Sequence, residues 1–304
     1  VFTGFPVESL LLEGERVVGV RTTASGLKRD GSEGSGFTPP TELTARVVAL
    51  AEGTRGPLTQ AWRRERNVTS TNPPIYALGV KELWETKQPL DAVIHTLGWP
   101  LPPTAFGGSF CYPLEENLVA LGLVVGLDAP DAGLDVHVLL QRLKTHPLFR
   151  PLLEGGEMVE WGAKTIPEGG WHAIPERLHD EGLLVLGDAA GLVDVPSLKG
   201  IHYAMQSGIL AARTIYAALK ADDVSATSLA PYTQAVRDGW IGKDLYTTRN
   251  MRLAFKHGLV GGGARSSLMI ATKGMFPGKT IHVEADAEEP RTWSEEEPFV
   301  PDGK

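Results

Sequence analysis

The chain has 304 residues, 42% hydrophobic and 22% charged, with a formal net charge of −8. The acidic excess argues against nucleic acid and against electrostatic attachment to anionic lipid. A single cysteine, Cys111, excludes an internal disulfide framework and any cysteine-ligated cluster built within the chain. Eight histidines show no HxxxH or HExxH spacing, so no metal site is expected. No apolar run reaches the roughly 18 residues of a membrane-spanning helix.

Val1 leads straight into strand-like sequence with no Met and no signal peptide, and the expectation is a piece of a longer chain. Residues 7–12 and 16–23 read as two strands joined at Glu13-Gly14-Glu15, a hairpin signal. Residues 24–41 hold glycines, serines and Pro39-Pro40 and read as an exposed connection. A strand over 44–51 runs into Glu52-Gly53-Thr54-Arg55-Gly56, followed by a short helix over 58–66 with a basic end. The texture then changes. Residues 75–84, 92–98, 107–112 and 118–127 are runs of Val, Leu, Ile and aromatics separated by turn residues, which predicts an antiparallel sheet. A helix over 134–145 turns Leu139, Leu140 and Leu143 inward, and 159–166 reads as a further strand.

The stretch from 182 to 219 carries the most information. Leu183-Leu184-Val185-Leu186 is an apolar strand, followed by Gly187-Asp188-Ala189-Ala190-Gly191, a loop and a long helix. Ile201, Ala204, Met205, Gly208, Ala212, Ile215, Tyr216 and Leu219 fall at helical spacing and form one apolar stripe. Such a corner suits a flavin, because a helix start aims N–H groups at an electron-rich ring. Asp188 would then accept from a ribityl hydroxyl, since a phosphate would repel it. Read alone, Gly-Asp-Ala-Ala-Gly fits a plain strand–turn–helix corner equally well. Further helical patterns cover 229–256, and the acidic, proline-bearing tail from about 284 reads as solvated loop.

Several strings together resemble the electron transfer flavoprotein–ubiquinone oxidoreductase family. They include Gly79-Val80-Lys81-Glu82-Leu83-Trp84, His95-Thr96-Leu97-Gly98-Trp99-Pro100-Leu101, Phe106-Gly107-Gly108-Ser109-Phe110, residues 119–128, residues 195–207 and Leu245-Tyr246-Thr247-Thr248-Arg249-Asn250. They occur in the family's order across nearly all of residues 1–280. The resemblance implies a mixed α/β fold: an FAD-binding domain of the glutathione-reductase-like type, interrupted by an antiparallel-sheet ubiquinone-binding domain. The implied parts are 1–72 and 173–256 for FAD, 73–172 for ubiquinone, and 257–304 for a membrane-surface segment and the start of an iron–sulfur domain. The implied activity carries electrons from reduced electron transfer flavoprotein to ubiquinone through FAD and a 4Fe-4S cluster. It takes place at the mitochondrial inner membrane or the cytoplasmic face of a bacterial inner membrane.

The resemblance also implies site residues. Gly187, Asp188, Gly191, Lys199, Gly200 and Ile201 match the flavin-contacting run, and Gly53, Arg55 and Gly56 a second, less specific flavin element. Gly107 and Gly108, with Phe106, match the quinone head-group site, where glycine lets backbone approach a ring; a bulge in a strand explains the pair as well. Phe106, Phe110, Trp99 and Leu101 wall an isoprenoid channel or simply pack the domain. Lys199 stabilises an anionic reduced flavin or is a surface lysine, and His202 and His95 have similar structural alternatives. No catalytic triad is expected, because flavin supplies the redox chemistry. The chain departs from the family in lacking its Gly-x-Gly-x-x-Gly and its cluster cysteines. Residues 258–281 align with a segment that dips into the membrane, but three consecutive glycines and Arg265 and Lys273 leave shallow interfacial attachment as the expectation. The alternatives are an FAD-dependent reductase or hydroxylase of the geranylgeranyl reductase type and a truncated, non-catalytic chain.

Overall fold

In the computed structural model, which describes residues 1–276, 278–288 and 292, the chain opens with β1 (Val7–Glu13), β2 (Arg16–Thr22), β3 (Ser25–Leu27), β4 (Glu33–Thr38), β5 (Glu42–Thr44), β6 (Val48–Leu50) and α1 (Pro57–Glu65). It continues through β7 (Tyr76–Glu85), β8 (Ile94–Leu97), β9 (Gly107–Glu115), β10 (Leu118–Gly126), α2 (Val136–Lys144), α3 (Arg150–Leu153) and β11 (Glu157–Pro167). Next come β12 (His179–Asp180), β13 (Leu183–Val185), α4 (Ile201–Lys220), α5 (Ala226–Asp238), α6 (Trp240–Thr247) and α7 (Gly258–Ala271). The chain divides into two units: residues 1–71 with 174–246, and residues 72–173 with 247–304.

In the first unit, β1 and β2 form the expected hairpin, with Glu13 opposite Arg16 and Gly14 at φ +61 in the turn. The strand expected over 44–51 is instead two strands. β5 pairs with β2, whereas β6 leaves that sheet and runs parallel to β13, Val48 opposite Leu183 and Leu50 opposite Val185. The expected connection at 24–41 also holds a ribbon, β3 against β4. Asp30 makes its turn by accepting hydrogen bonds from the Ser32 N–H at 3.0 Å and the Ser32 hydroxyl at 2.7 Å. Glycines 26, 34 and 36 hide these strands from propensity.

The core of this unit is Leu50, Leu183, Leu184, Val185, Leu229, Tyr232 and Val236, all buried. α5 lies against β12 and β13, and the Tyr232 hydroxyl donates to the Val185 carbonyl at 2.9 Å. Trp62 of α1 donates from Nε1 to buried Asp180 at 2.7 Å. α4 corrects an expectation. Its inward side is Tyr203, Ser207, Ala211 and Ala218. The predicted apolar stripe faces outward, with Ile201, Met205 and Tyr216 exposed by 78%, 65% and 65%. Ser207, Ala211 and Ala218 let α4 pack closely on its inward side, where Tyr203 is the large side chain buried among them.

In the second unit, β11-β7-β10-β9-β8 form an antiparallel sheet. Alternation splits each strand between two faces. Val80, Cys111, Val119, Leu121, Leu123 and Val125 point to one face, where Leu139, Leu140 and Leu143 of α2 close the core. Asp135 caps α2, accepting from the His137 and Val138 N–H groups at 2.8 and 3.1 Å. Residues 247–256 belong here rather than with the FAD part expected over 173–256. Arg252 is anchored to Glu168 and Asp128, and Asn250 Nδ2 donates to the Lys279 carbonyl at 2.8 Å. Among the described residues, no helix is long and apolar enough to cross a membrane. Of the acidic tail, Glu289, Glu295, Glu296 and Glu297 lie outside the described residues.

Candidate functional sites: a nucleotide corner and a sheet face

β13 ends in a conformation that only glycine takes easily. Gly187 has φ +55, and a Cβ there would sit 3.2 Å from Ala204 Cβ of α4. The Gly187 N–H donates to Ser207 Oγ at 3.1 Å, tying turn to helix. A 3-10 turn over Gly187–Ala190 ends at Gly191, φ +75. The following loop is closed by a reciprocal backbone pair: Asp194 N–H to Lys199 carbonyl at 2.8 Å, and Lys199 N–H to Asp194 carbonyl at 3.0 Å. α4 then starts at Gly200 with no side-chain cap. The positive end of its dipole therefore lies at a residue with no side chain of its own to cap it. Asp188 Oδ1 lies 3.3 Å from where a Gly200 Cβ would be, so the acid stands beside the helix start.

The structure thus brings Gly187, Asp188, Gly191, Gly200 and Ile201 into one corner. Lys199 is exposed there, as the surface-lysine alternative requires. His202 rests on Tyr203 at 4.1 Å between ring centroids and on Trp240 at 5.9 Å. β6 ends beside β13, with the Leu186 N–H donating to the Leu50 carbonyl at 2.9 Å. Gly53 and Arg55 follow at φ +74 and +54. Carboxyl ends of parallel strands are where open α/β sheets bind ligands. The helix start after Gly53 is nevertheless occupied: the Glu52 carboxylate accepts from the Leu58 and Thr59 N–H groups at 3.0 and 2.8 Å. The corner at Gly187–Gly200, with its uncapped helix and adjacent carboxylate, fits the ribityl and ring end of a flavin.

Sequence reading missed the pair that underpins this corner. The Tyr203 hydroxyl donates to Asp244 at 2.6 Å. Burial and then Asp244 push its ionisation far above the tyrosine range. The partners are 41 residues apart, and no local spacing signals them.

In the second unit, the sheet face away from α2 carries His95, Leu97, Gly108, Phe110, Tyr112, Gly122 and Val124 by strand alternation and register. Phe110 lies over Gly122, whose Cβ position its ring fills, and Phe110 and Tyr112 stack at 5.7 Å. The glycine pair is crowded by protein. A Cβ on Gly107, φ +154, would meet the Val124 carbonyl and stand 2.8 Å from Leu101; one on Gly108 would meet the Thr96 carbonyl and stand 3.1 Å from Leu97. The four candidate channel residues do not form one wall. Leu101 is buried in the α2-side core, Trp99 is 52% exposed beside His146, and Phe110 covers Gly122.

Phe106 is held more tightly than its sequence suggests. Its carbonyl accepts from the Gly126 N–H at 2.8 Å. Its ring lies 4.7 Å from Phe255 and 4.1 Å from the Arg252 guanidinium carbon. Arg252 donates from Nε to Glu168 at 2.5 Å and from Nη2 to Asp128 at 2.6 Å. Burial pushes the Glu168 carboxyl above its usual range, against the pull of Arg252.

A separate cavity of about 600 Å³ lies beside α2, between Trp84, His137, Met158 and Trp161, with Glu82 and Lys144 among its lining. It contains none of the predicted site residues. Burial would raise the Glu82 carboxyl, but hydrogen bonds from Lys144, Gln141 and Trp84 outweigh it and hold the group below the usual range. Among the described residues, no group of three or more His, Cys, Asp or Glu could hold a metal. Cys111 is fully buried, and burial pushes its thiol to about 11. These residues do not fit an iron–sulfur cluster.

Comparison with known proteins adds to this description. Residues 76–166, the sheet of the second unit, match the family model described as "ETF-QO, ubiquinone-binding". The electron transfer flavoprotein–ubiquinone oxidoreductase of Arabidopsis thaliana is 38% identical over 296 residues, 95% of this chain and 46% of that protein. The chain is a homologue of the electron transfer flavoprotein–ubiquinone oxidoreductases. The human oxidoreductase is likewise 38% identical over 272 residues, covering 86% of this chain and 44% of its own length. The chain therefore spans about half the length of the curated relatives it matches.

Solved structures show the fold. A geranylgeranyl bacteriochlorophyll reductase-like protein from Thermoplasma acidophilum aligns with TM-score 0.66 at 17% identity, over 88% of this chain and 62% of that one. The myxobacterial FAD-dependent chondrochloren halogenase aligns with TM-score 0.55 at 19% identity, over 90% and 62%. The mixed α/β architecture expected from sequence is thus the one observed.

Proposed function

We propose that this chain serves electron transfer from reduced electron transfer flavoprotein to ubiquinone. The observation that carries the reading is the 38% identity to the Arabidopsis thaliana oxidoreductase across 95% of the chain. FAD, when bound, supplies the redox chemistry. Asp188 accepts a hydrogen bond from a ribityl hydroxyl, and the uncapped start of α4 at Gly200 and Ile201 faces the flavin ring. Gly53 and Arg55 border the same edge. No phosphate is assigned to the Glu52-capped helix. Gly107, Gly108 and Phe106 hold the quinone head group, their backbone set by the neighbouring strands. No step is assigned to a 4Fe-4S cluster, for which this chain holds no fitting ligands.

The chain works at a membrane surface. Val260, Leu268 and Ile270 of α7 and the following Met275 and Phe276 are exposed apolar side chains. Arg265 and Lys273 lie among them and can snorkel. This supports shallow attachment on the membrane that holds the quinone. The reductase alternative has a fold likeness behind it and no comparable sequence identity.

Titrating the 304-residue chain with decylubiquinone, read by tryptophan fluorescence, tests the quinone half. Saturable quenching at one quinone per chain is expected. A linear, non-saturating response would reject the assignment.

A further inference from the structure

Arg252 is 5% exposed, and a buried guanidinium needs a reason. Two carboxylates grip it edge-on, Glu168 at 2.5 Å and Asp128 at 2.6 Å, and its flat face meets the Phe106 ring at 4.1 Å. The fold makes room for it. A Cβ on Gly126 would stand 2.6 Å from Arg252 Nη2 and 2.5 Å from Asp128 Oδ1. That same glycine's N–H holds the Phe106 carbonyl. Phe255, three residues after Arg252, packs on the same ring. Between them Leu253 and Ala254 are each 1% exposed, so the turn is fixed in the core. One short segment thus grips the ring and, through Gly126, the backbone of the residue that precedes Gly107 and Gly108.

We propose that Arg252 is a positioning residue for quinone binding: clamped by Glu168 and Asp128, it fixes the Phe106 ring and thereby the entry to the Gly107–Gly108 strand. This rests on the quinone reading above. The role needs a planar cation. Lysine offers one point charge and cannot satisfy two carboxylates while lying flat on an aromatic face.

The test is a double-mutant cycle on the 304-residue chain with decylubiquinone as probe. Arg252→Lys is expected to raise Kd at least tenfold, Phe106→Ala to raise it similarly, and the double variant to add less than twofold more. Leu139→Ala, a core truncation by α2, controls for stability and is expected to leave Kd within twofold. A Kd within twofold of the parent in Arg252→Lys, or fully additive losses, overturns the proposal. So does a loss in Leu139→Ala as large as in Arg252→Lys. If Arg252→Lys does not fold, Asp128→Asn replaces it in the cycle, and an unchanged Kd there also overturns it. A second readout separates this from the quinone reading: the fluorine NMR signal of Phe106 in chain labelled with 4-fluorophenylalanine. It is expected to shift and broaden in Arg252→Lys without quinone. That change in a chain that binds no quinone leaves the clamp standing and rejects the quinone reading; no change rejects the clamp.

Discussion

Gly108 illustrates how a residue that matches a binding motif also answers a packing need. Its missing side chain is required by the Thr96 carbonyl of β8. Gly108→Ala is therefore expected to destabilise the second unit by about 1–3 kcal/mol, measured by urea unfolding, as overpacking does. Loss of quinone binding in that variant would not by itself locate the quinone. Asp188 differs, because it is half-buried at the corner and stands beside the start of α4. Asp188→Ala is expected to raise at least tenfold the concentration of chain needed to quench the fluorescence of a fixed amount of FAD. Gly187 and Gly191 of the corner were legible in sequence because positive φ demands glycine there. Tyr203–Asp244 and Arg252–Glu168 were not, since 41 and 84 residues separate the partners and only the folded chain joins them.

Among the elements, the five-stranded sheet was the most legible, because its runs of branched and aromatic residues are long and separated by clear turns. The β5–β6 break was hidden, since Arg46 is the one charged residue between the two strands and interrupts an otherwise strand-like run over 44–51. α4 misled for a related reason: hydrophobicity marks a stripe without saying which side the protein covers. Helix α2 carries a pH dependence through Lys144, which pairs with buried Glu82 of β7 at 2.8 Å. The Glu82 carboxyl lies below its ordinary 4.5. Its stabilisation is thus fully present above about 4.5 and is lost as pH falls through the lower folded value. Unfolding free energy of the parent chain is expected to fall across that acidic range more steeply than that of Glu82→Gln. At pH 7 the variant is expected to be less stable by about 1–3 kcal/mol, the cost of an impaired buried partner. Equal slopes in urea titrations at several acidic pH values would remove Glu82 from the explanation.

At the scale of the whole molecule, the proposal gives the two units two kinds of chemistry. One has parallel strands ending at an uncapped helix, suited to a flavin. The other has an antiparallel sheet that carries the Gly107–Gly108 pair and matches a ubiquinone-binding family model. Composition had already excluded a disulfide scaffold, and the resemblance of long strings to one family implied both halves. The most direct measurement of the central claim is made in membranes of the source organism, with the gene intact and disrupted. The rate at which reduced electron transfer flavoprotein is oxidised by a soluble ubiquinone analogue is expected to fall at least tenfold on disruption and to return when the gene is restored. An unchanged rate in the disrupted strain would contradict the account.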